Sequence, residues 1–180
     1  MAVLVGFGDG VRMWVVDLSL SASYDASPEE VFAMITDATF QEQVCERIRP
    51  RSYDVAVREA GTDTVVRVWW ETRSVDVPAV AKRFVHQPLV VAQTKIWHPA
   101  HSDGSREGDV EGEVADAPIK LTGRTRISAD GRRTTQLFDL HVTATVPVVG
   151  KRLERIAVDA ARARLEKKFE VAWSWLSGSI

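Results

Sequence analysis

Apolar and polar residues alternate from position 14 to 24: Trp14, Val16, Leu18, Leu20, Ala22 and Tyr24 share one face, and Asp17, Ser19, Ser21 and Ser23 the other. A period of two predicts a half-buried β-strand. The period then turns helical. Ser27 offers a capping hydroxyl, Pro28 suits the first helical position, and Glu30 completes Ser-x-x-Glu, a capping box. Val31, Phe32 and Ile35 give an apolar face before Asp37 and Thr39 interrupt it. Thr39-x-x-Glu42 offers a second box ahead of Val44, Cys45 and Ile48. Two short helices in tandem suit a cap across one end of something larger.

The next stretches return to strand periodicity. Residues 52–58 carry Tyr53, Val55 and Val57, and a turn over 59–63 leads into 64–72. There Val66, Val68 and Trp70 face one way, and Val65, Arg67, Trp69 and Glu71 the other. Val77-Pro78 breaks the pattern, and 79–85 reads as one or two helical turns. The inward face of a strand over 88–97 is ambiguous. Val90, Ala92, Thr94 and Ile96 are read as inward, because Gln93 and Lys95 sit opposite. Three more strands, 107–114, 119–128 and 134–146, are separated by Asp116-Ala117-Pro118 and Asp130-Gly131. Seven strands in hairpin-like succession favour an antiparallel sheet.

Nothing breaks a helix between 148 and 176, and Gly178 supplies a stop. At 1.5 Å per residue such a helix is roughly 43 Å long, enough to cross a domain. Leu153, Ile156, Ala157 and Ala160 share one face, whereas Leu165, Phe169, Ala172 and Leu176 lie on a face rotated by roughly 130°.

Composition narrows the class. With 180 residues, 45% hydrophobic and 27% charged, the chain suits one soluble globular domain. A net charge of −2 gives no global attraction to nucleic acid or anionic membrane. The single cysteine, Cys45, excludes an intrachain disulfide and a multi-cysteine metal site, and reads as an inert thiol. Residues 1–12 lack a signal-peptide pattern and read as a loose leader, whose deletion should leave the melting temperature unchanged; 13–177 form the expected domain. No stretch approaches the ~18 apolar residues of a membrane span, so integral membrane association is not expected and the default compartment is the cytoplasm.

The element order, strand, two short helices, six strands and a long C-terminal helix, resembles the α+β helix-grip fold. Specific segments carry the likeness: "ASPEEVFAMITDATFQEQVCER", "SYDV", "EGDVEGEV" and "VPVVGKRLERIAVDAARARLEKKFEVAWSWL". Together they resemble a bacterial family of unknown function within the START-like superfamily (SRPBCC), which includes lipid-transfer domains, polyketide cyclases and pollen-allergen-like proteins. The resemblance implies a curved seven-stranded sheet wrapped around the last helix, with a cavity for an apolar ligand between them. It implies no reaction, and no catalytic residue carries over.

The residues themselves give a reason for such a cavity. Glu107, Asp109, Glu111 and Glu113 face one way, leaving Gly108, Val110, Gly112 and Val114 on the other. The next strand sets Ile119, Leu121, Gly123, Thr125 and Ile127 against Lys120, Thr122, Arg124 and Arg126, so acid can pair with base across the outer faces. Glycine on an inward face leaves volume unfilled, as do Ala157, Ala160 and Ala161 on the helix; glycines here also permit a bend. The candidate ligand-binding positions are Tyr24; Val66, Val68 and Trp70; Val90, Thr94 and Ile96; Val110 and Gly112; Leu121 and Gly123. Phe138, Leu140 and Val142 join them, with Leu153, Ile156, Ala157 and Ala160 from the helix.

Chemistry is sparse in this reading. Asp139 and His141 lie on the outward face, as a solvated cross-strand pair. His98 and His101 in "WHPAH" have no recognisable third metal ligand. Tyr24 and Thr94 are the inward-leaning polar groups. The basic residues of the last helix, among them Arg164, Lys167 and Lys168, interleave with acids and read as a solvated face. No catalytic residue, metal or cofactor is assigned, and the sheet carries no pattern for nucleic acid. Trp173 and Trp175 suit the core or a homodimer contact. Three functions remain open: a non-catalytic binder or carrier of a hydrophobic small molecule, a cyclase- or hydrolase-type enzyme, and an interaction module with a filled core. An ionisable group pointing into the cavity with a strongly shifted pKa would favour the enzyme.

Overall fold

A computed structural model describes residues 2–6, 12–72, 88–144 and 150–179. In chain order the elements are β1 (Ala2–Gly6), β2 (Arg12–Tyr24), α1 (Pro28–Ile35), α2 (Ala38–Ile48), β3 (Ser52–Ala60) and β4 (Asp63–Glu71). They continue with β5 (Val90–Trp97), β6 (Arg106–Val114), β7 (Ile119–Asp130), β8 (Arg133–Ala144) and α3 (Gly150–Leu176). The expected helical turns over 79–85 lie outside the described residues.

The strands form one antiparallel sheet in the order β1-β2-β8-β7-β6-β5-β4-β3. Hairpins explain all but one of the neighbours; the exception is β2 beside β8, which brings the start of the sheet to its end. The two short helices fill the chain between β2 and β3, and α3 packs across β2 and β8 and against α2. This is the α+β helix-grip arrangement. Seven strands, β2 to β8, are those expected from the sequence. An eighth comes from the segment expected to be a loose leader: Ala2–Gly6 pairs antiparallel with β2, with Ala2 opposite Val16 and Gly6 opposite Arg12. The apolar run Ala2-Val3-Leu4-Val5 is short, but a β2 edge is a ready template for such a run.

Local chemistry sets the helix starts. At α1 the Ser27 hydroxyl accepts from the Glu30 amide while the Glu30 carboxylate accepts from the Ser27 amide, the expected capping box. The second start differs from expectation. Asp37, not Thr39, is the N-cap of α2, its carboxylate accepting from the amides of Thr39 and Phe40. A charged acceptor two residues earlier outcompetes the Thr39 hydroxyl for the unpaired donors of the first turn.

The sheet's inner face carries the core. Register runs one inward row through Val66, Lys95, Val110, Gly123, Leu140 and Leu18 on successive strands. Leu18, Val66, Val110, Phe138, Leu140 and Val142 are buried there, against Leu165, Phe169 and Ala172 of α3. On the outer face Arg124 meets Asp109 and Arg126 meets Glu107, each at 3.8 Å, the expected pairing of acid with base. Asp139 and His141 are outward and pair across the strands with β2, as expected: Ser19 donates to Asp139 at 2.6 Å, and His141 Nδ1 lies 2.7 Å from Asp17.

Candidate functional site

The inner face and α3 do not close completely. Between them lies a cavity of about 320 Å³. Of the positions expected to bind a ligand, Trp70, Gly112, Leu121, Phe138, Leu140 and Val142 line it from the sheet, and Ile156, Ala157 and Ala160 from α3. Val66, Val68 and Val110 face inward but are packed into the core beside it. Tyr24 is also buried away from the cavity, its hydroxyl donating to Gln136 Oε1 at 3.2 Å. Burial pushes that hydroxyl's pKa up. The side chain of Leu153 lies outside the described ones.

The two glycines divide between the two expected roles. A Cβ on Gly112 would meet Leu121 Cβ at 3.4 Å and the Ala92 carbonyl at 3.6 Å, ordinary contacts, so glycine here leaves space. A Cβ on Gly123 would sit 2.1 Å from the Asp139 carbonyl oxygen, so Gly123 lets β7 and β8 approach closely and opens no volume.

β5 corrects the sequence reading. Val90, Thr94 and Ile96 were expected inward; the structure turns Val91, Gln93, Lys95 and Trp97 inward instead. The cause is register. Val66 of β4 opposes Lys95, Val68 opposes Gln93 and Trp70 opposes Val91, and directly opposed residues share a face. Burying Trp97, which is 1% exposed and packs edge-on against Phe32 at 6.1 Å, outweighs the burial of a lysine two positions away.

That register brings an amine into the interior, and α3 brings two more cations. Ile156, Ala160, Arg164 and Lys168 follow at intervals of four and form one stripe on the cavity. Lys95 and Lys168 are each only 4% exposed. Lys95 Nζ donates to Gln93 Oε1 at 2.8 Å. The Arg164 guanidinium stacks 3.8 Å over Trp70 and lies near the Cys45 thiol. Lys168 Nζ lies 5.4 Å from the Phe138 ring and 5.8 Å from Phe40. Lys168 Nζ and Arg164 Nη1 are buried with no hydrogen-bond partner among the described residues. No ion pair among the described residues involves any of the three.

The electrostatics follow from this crowding. Desolvation, then repulsion from Arg164, pushes the Lys168 ammonium down to about 7. Desolvation, followed by repulsion from Lys168 and Arg164, holds Lys95 well below the ordinary lysine value. Burial also lowers Arg164. The Cys45 thiol is buried, and desolvation pushes its pKa up despite the nearby Arg164 and Lys95, as befits an inert thiol. Outside the cavity, His98 bridges Asp109 at 3.2 Å and Asp63 at 3.3 Å, and both contacts raise its pKa. No group of potential metal ligands occurs among the described residues. Nor is any described helix long and apolar enough to cross a membrane.

Comparison with known proteins agrees with this geometry. The profile of a family described as "Protein of unknown function (DUF2505)" matches residues 19–176. The chain belongs to that family. Its fold is START-like. The protein TTHA0849 from Thermus thermophilus superposes with a TM-score of 0.58 at 14% identity, covering 91% of this chain and 99% of that one. The STAR-related lipid transfer protein from Xanthomonas axonopodis gives 0.57 at 11% identity, with 98% of each chain covered. Human STARD10 gives 0.55 at 11% identity, over 97% of this chain and 74% of that one. No curated protein matches the sequence.

Proposed function

We propose that this chain binds and carries a hydrophobic small molecule, lipid or polyketide-like, in the cavity between the sheet and α3, in the cytoplasm and without chemistry. The observation that carries the reading is the unfilled interior itself. Protein cores pack to ~0.75 density, and a cavity of about 320 Å³ falls in the size range of small-molecule sites. Its walls are largely apolar, and the small residues Gly112, Ala157 and Ala160 leave room on both sides. A superposing structure that bears the name of a lipid transfer protein is in keeping with the reading. The test is a titration with Nile red, a neutral apolar dye, together with native mass spectrometry of protein purified from its own host. Saturable fluorescence enhancement and a retained apolar molecule are expected. A dye that never responds, beside protein of bare polypeptide mass, leaves the filled interaction module.

Lys168 favours a second reading. An inward amine pushed down to about 7 is the sort of ionisable group that an enzyme of cyclase type would use. Incubation with decanal and cyanoborohydride at pH 6.5 separates the readings. Alkylation of Lys168 ahead of every surface lysine supports a reactive amine, and random labelling supports carriage alone.

A further inference from the structure

Three basic side chains in a pocket with apolar walls are a poor solution for a core, since an isolated charge taken from water costs several kcal/mol. Native proteins bury such groups with a partner, and orphaned buried donors call for an explanation. Here Lys95, Arg164 and Lys168 converge on the α2 side of the cavity. Arg164 lies near Cys45 of that helix, and Lys168 lies 5.8 Å from the Phe40 ring of the same helix. Among the described residues on the cavity lining the one acid is Glu113, and it is solvent-exposed. Among the described residues Lys168 Nζ and Arg164 Nη1 have no hydrogen-bond partner, so the donors for an anion are already in place.

Resting on the carrier reading above, we infer that the ligand is an acidic amphiphile. Its carboxylate or phosphate is held by Lys95, Arg164 and Lys168, and its apolar body lies against Trp70, Leu121, Phe138, Leu140 and Val142. The anion supplies what the interior lacks. It neutralises part of the mutual repulsion and satisfies the free donors with charge-assisted hydrogen bonds, which are stronger than neutral ones. The apolar walls then discriminate against small inorganic anions, which bring nothing to cover them. Taking roughly 30 Å³ for each heavy-atom group, the share of a water molecule in the liquid, the cavity holds on the order of ten such groups. A decyl chain is a probe of suitable size.

The experiment displaces Nile red from the full chain at pH 6.5 with three probes of one chain length: decanoic acid, decyl phosphate and 1-decanol. The acids are expected to compete at least about 30-fold more tightly than the alcohol, the range that one or two charge-assisted hydrogen bonds supply. Whichever acid binds tighter identifies the headgroup as carboxylate or phosphate. In Lys95→Met/Lys168→Met the preference should fall to within about threefold, with decanol binding retained. If the dye and decanol bind the wild type but the acids gain nothing, the carrier reading stands and the inference is overturned. A double variant that keeps the full preference overturns it too. If neither the dye nor any decyl probe binds, both fall together. The wild-type comparison decides the matter even where the double variant does not fold.

Discussion

Lys168→Met should stabilise the ligand-free protein, and by an amount that depends on pH. A lysine whose pKa drops from 10.5 to about 7 on folding carries a penalty at low pH of on the order of 5 kcal/mol, at ~1.4 kcal/mol per pH unit. Water admitted to the cavity solvates part of that charge, so this is an upper bound. Methionine keeps the apolar stem against Phe40 and Phe138 and removes the charge. Exchanges of buried ions for apolar residues commonly gain about 1–4 kcal/mol. For a chain of this size that is a rise in melting temperature of roughly 3–12 °C. The sign with pH follows from linkage. Below pH 7 folded and unfolded lysine are both protonated, and the full penalty applies. Between about pH 7 and 10 the folded state has released its proton while the unfolded state retains it, so the penalty no longer tracks a buried charge but the work of deprotonation, which falls by up to ~1.4 kcal/mol per pH unit as pH rises. The mutant's advantage is therefore largest at pH 6 and fades toward pH 10. Lys95 and Arg164 line the same cavity and the Cys45 thiol lies near Arg164; removing Lys168 also relieves its repulsion on Lys95, which adds to the mutant's advantage with the same sign. Chemical denaturation of both proteins at pH 6, 7, 8 and 9 measures this. A mutant less stable than wild type at pH 6, or an advantage that does not change with pH, would refute a desolvated lysine in the cavity.

Gly112→Leu should hold or raise stability while abolishing Nile red binding, because its Cβ meets only ordinary contacts and its branches enter the cavity; a much lower melting temperature would show a filled core. Gly123→Ala should lose about 3 kcal/mol or more, the upper end for overpacking, since the new Cβ meets the Asp139 carbonyl, and denaturant unfolding would report it. Removing residues 1–6 takes β1 from β2, so a lower melting temperature and faster aggregation by light scattering are expected; an unchanged melting curve would restore the loose leader. His98→Gln should cost less than about 1 kcal/mol near neutral pH, because exposed ion pairs contribute little; its raised pKa means that any contribution is full below about pH 6.5 and is lost as pH rises through the folded value.

Much of the fold was legible in the sequence because it is written locally. Alternation places Leu18, Val66, Val110, Leu121 and Leu140 inward without knowledge of their partners, and Ser27 with Glu30 fixes a helix start within four residues. Gly112 and the alanines of α3 were legible as small residues on an inward face. The character of the cavity was not. Lys95 is inward because β4 and Trp97 fix the register of β5, a pairing that the weak alternation of 90–97 does not determine. Arg164 and Lys168 continue the stripe from Ile156 and Ala160, but a basic residue on a charged helix ordinarily faces water. Only the angle at which α3 lies across the sheet decides that these two face the cavity instead. Periodicity assigns residues to faces, and tertiary packing decides which faces meet. In this protein that meeting turns a cavity read as apolar into one that also holds three basic side chains.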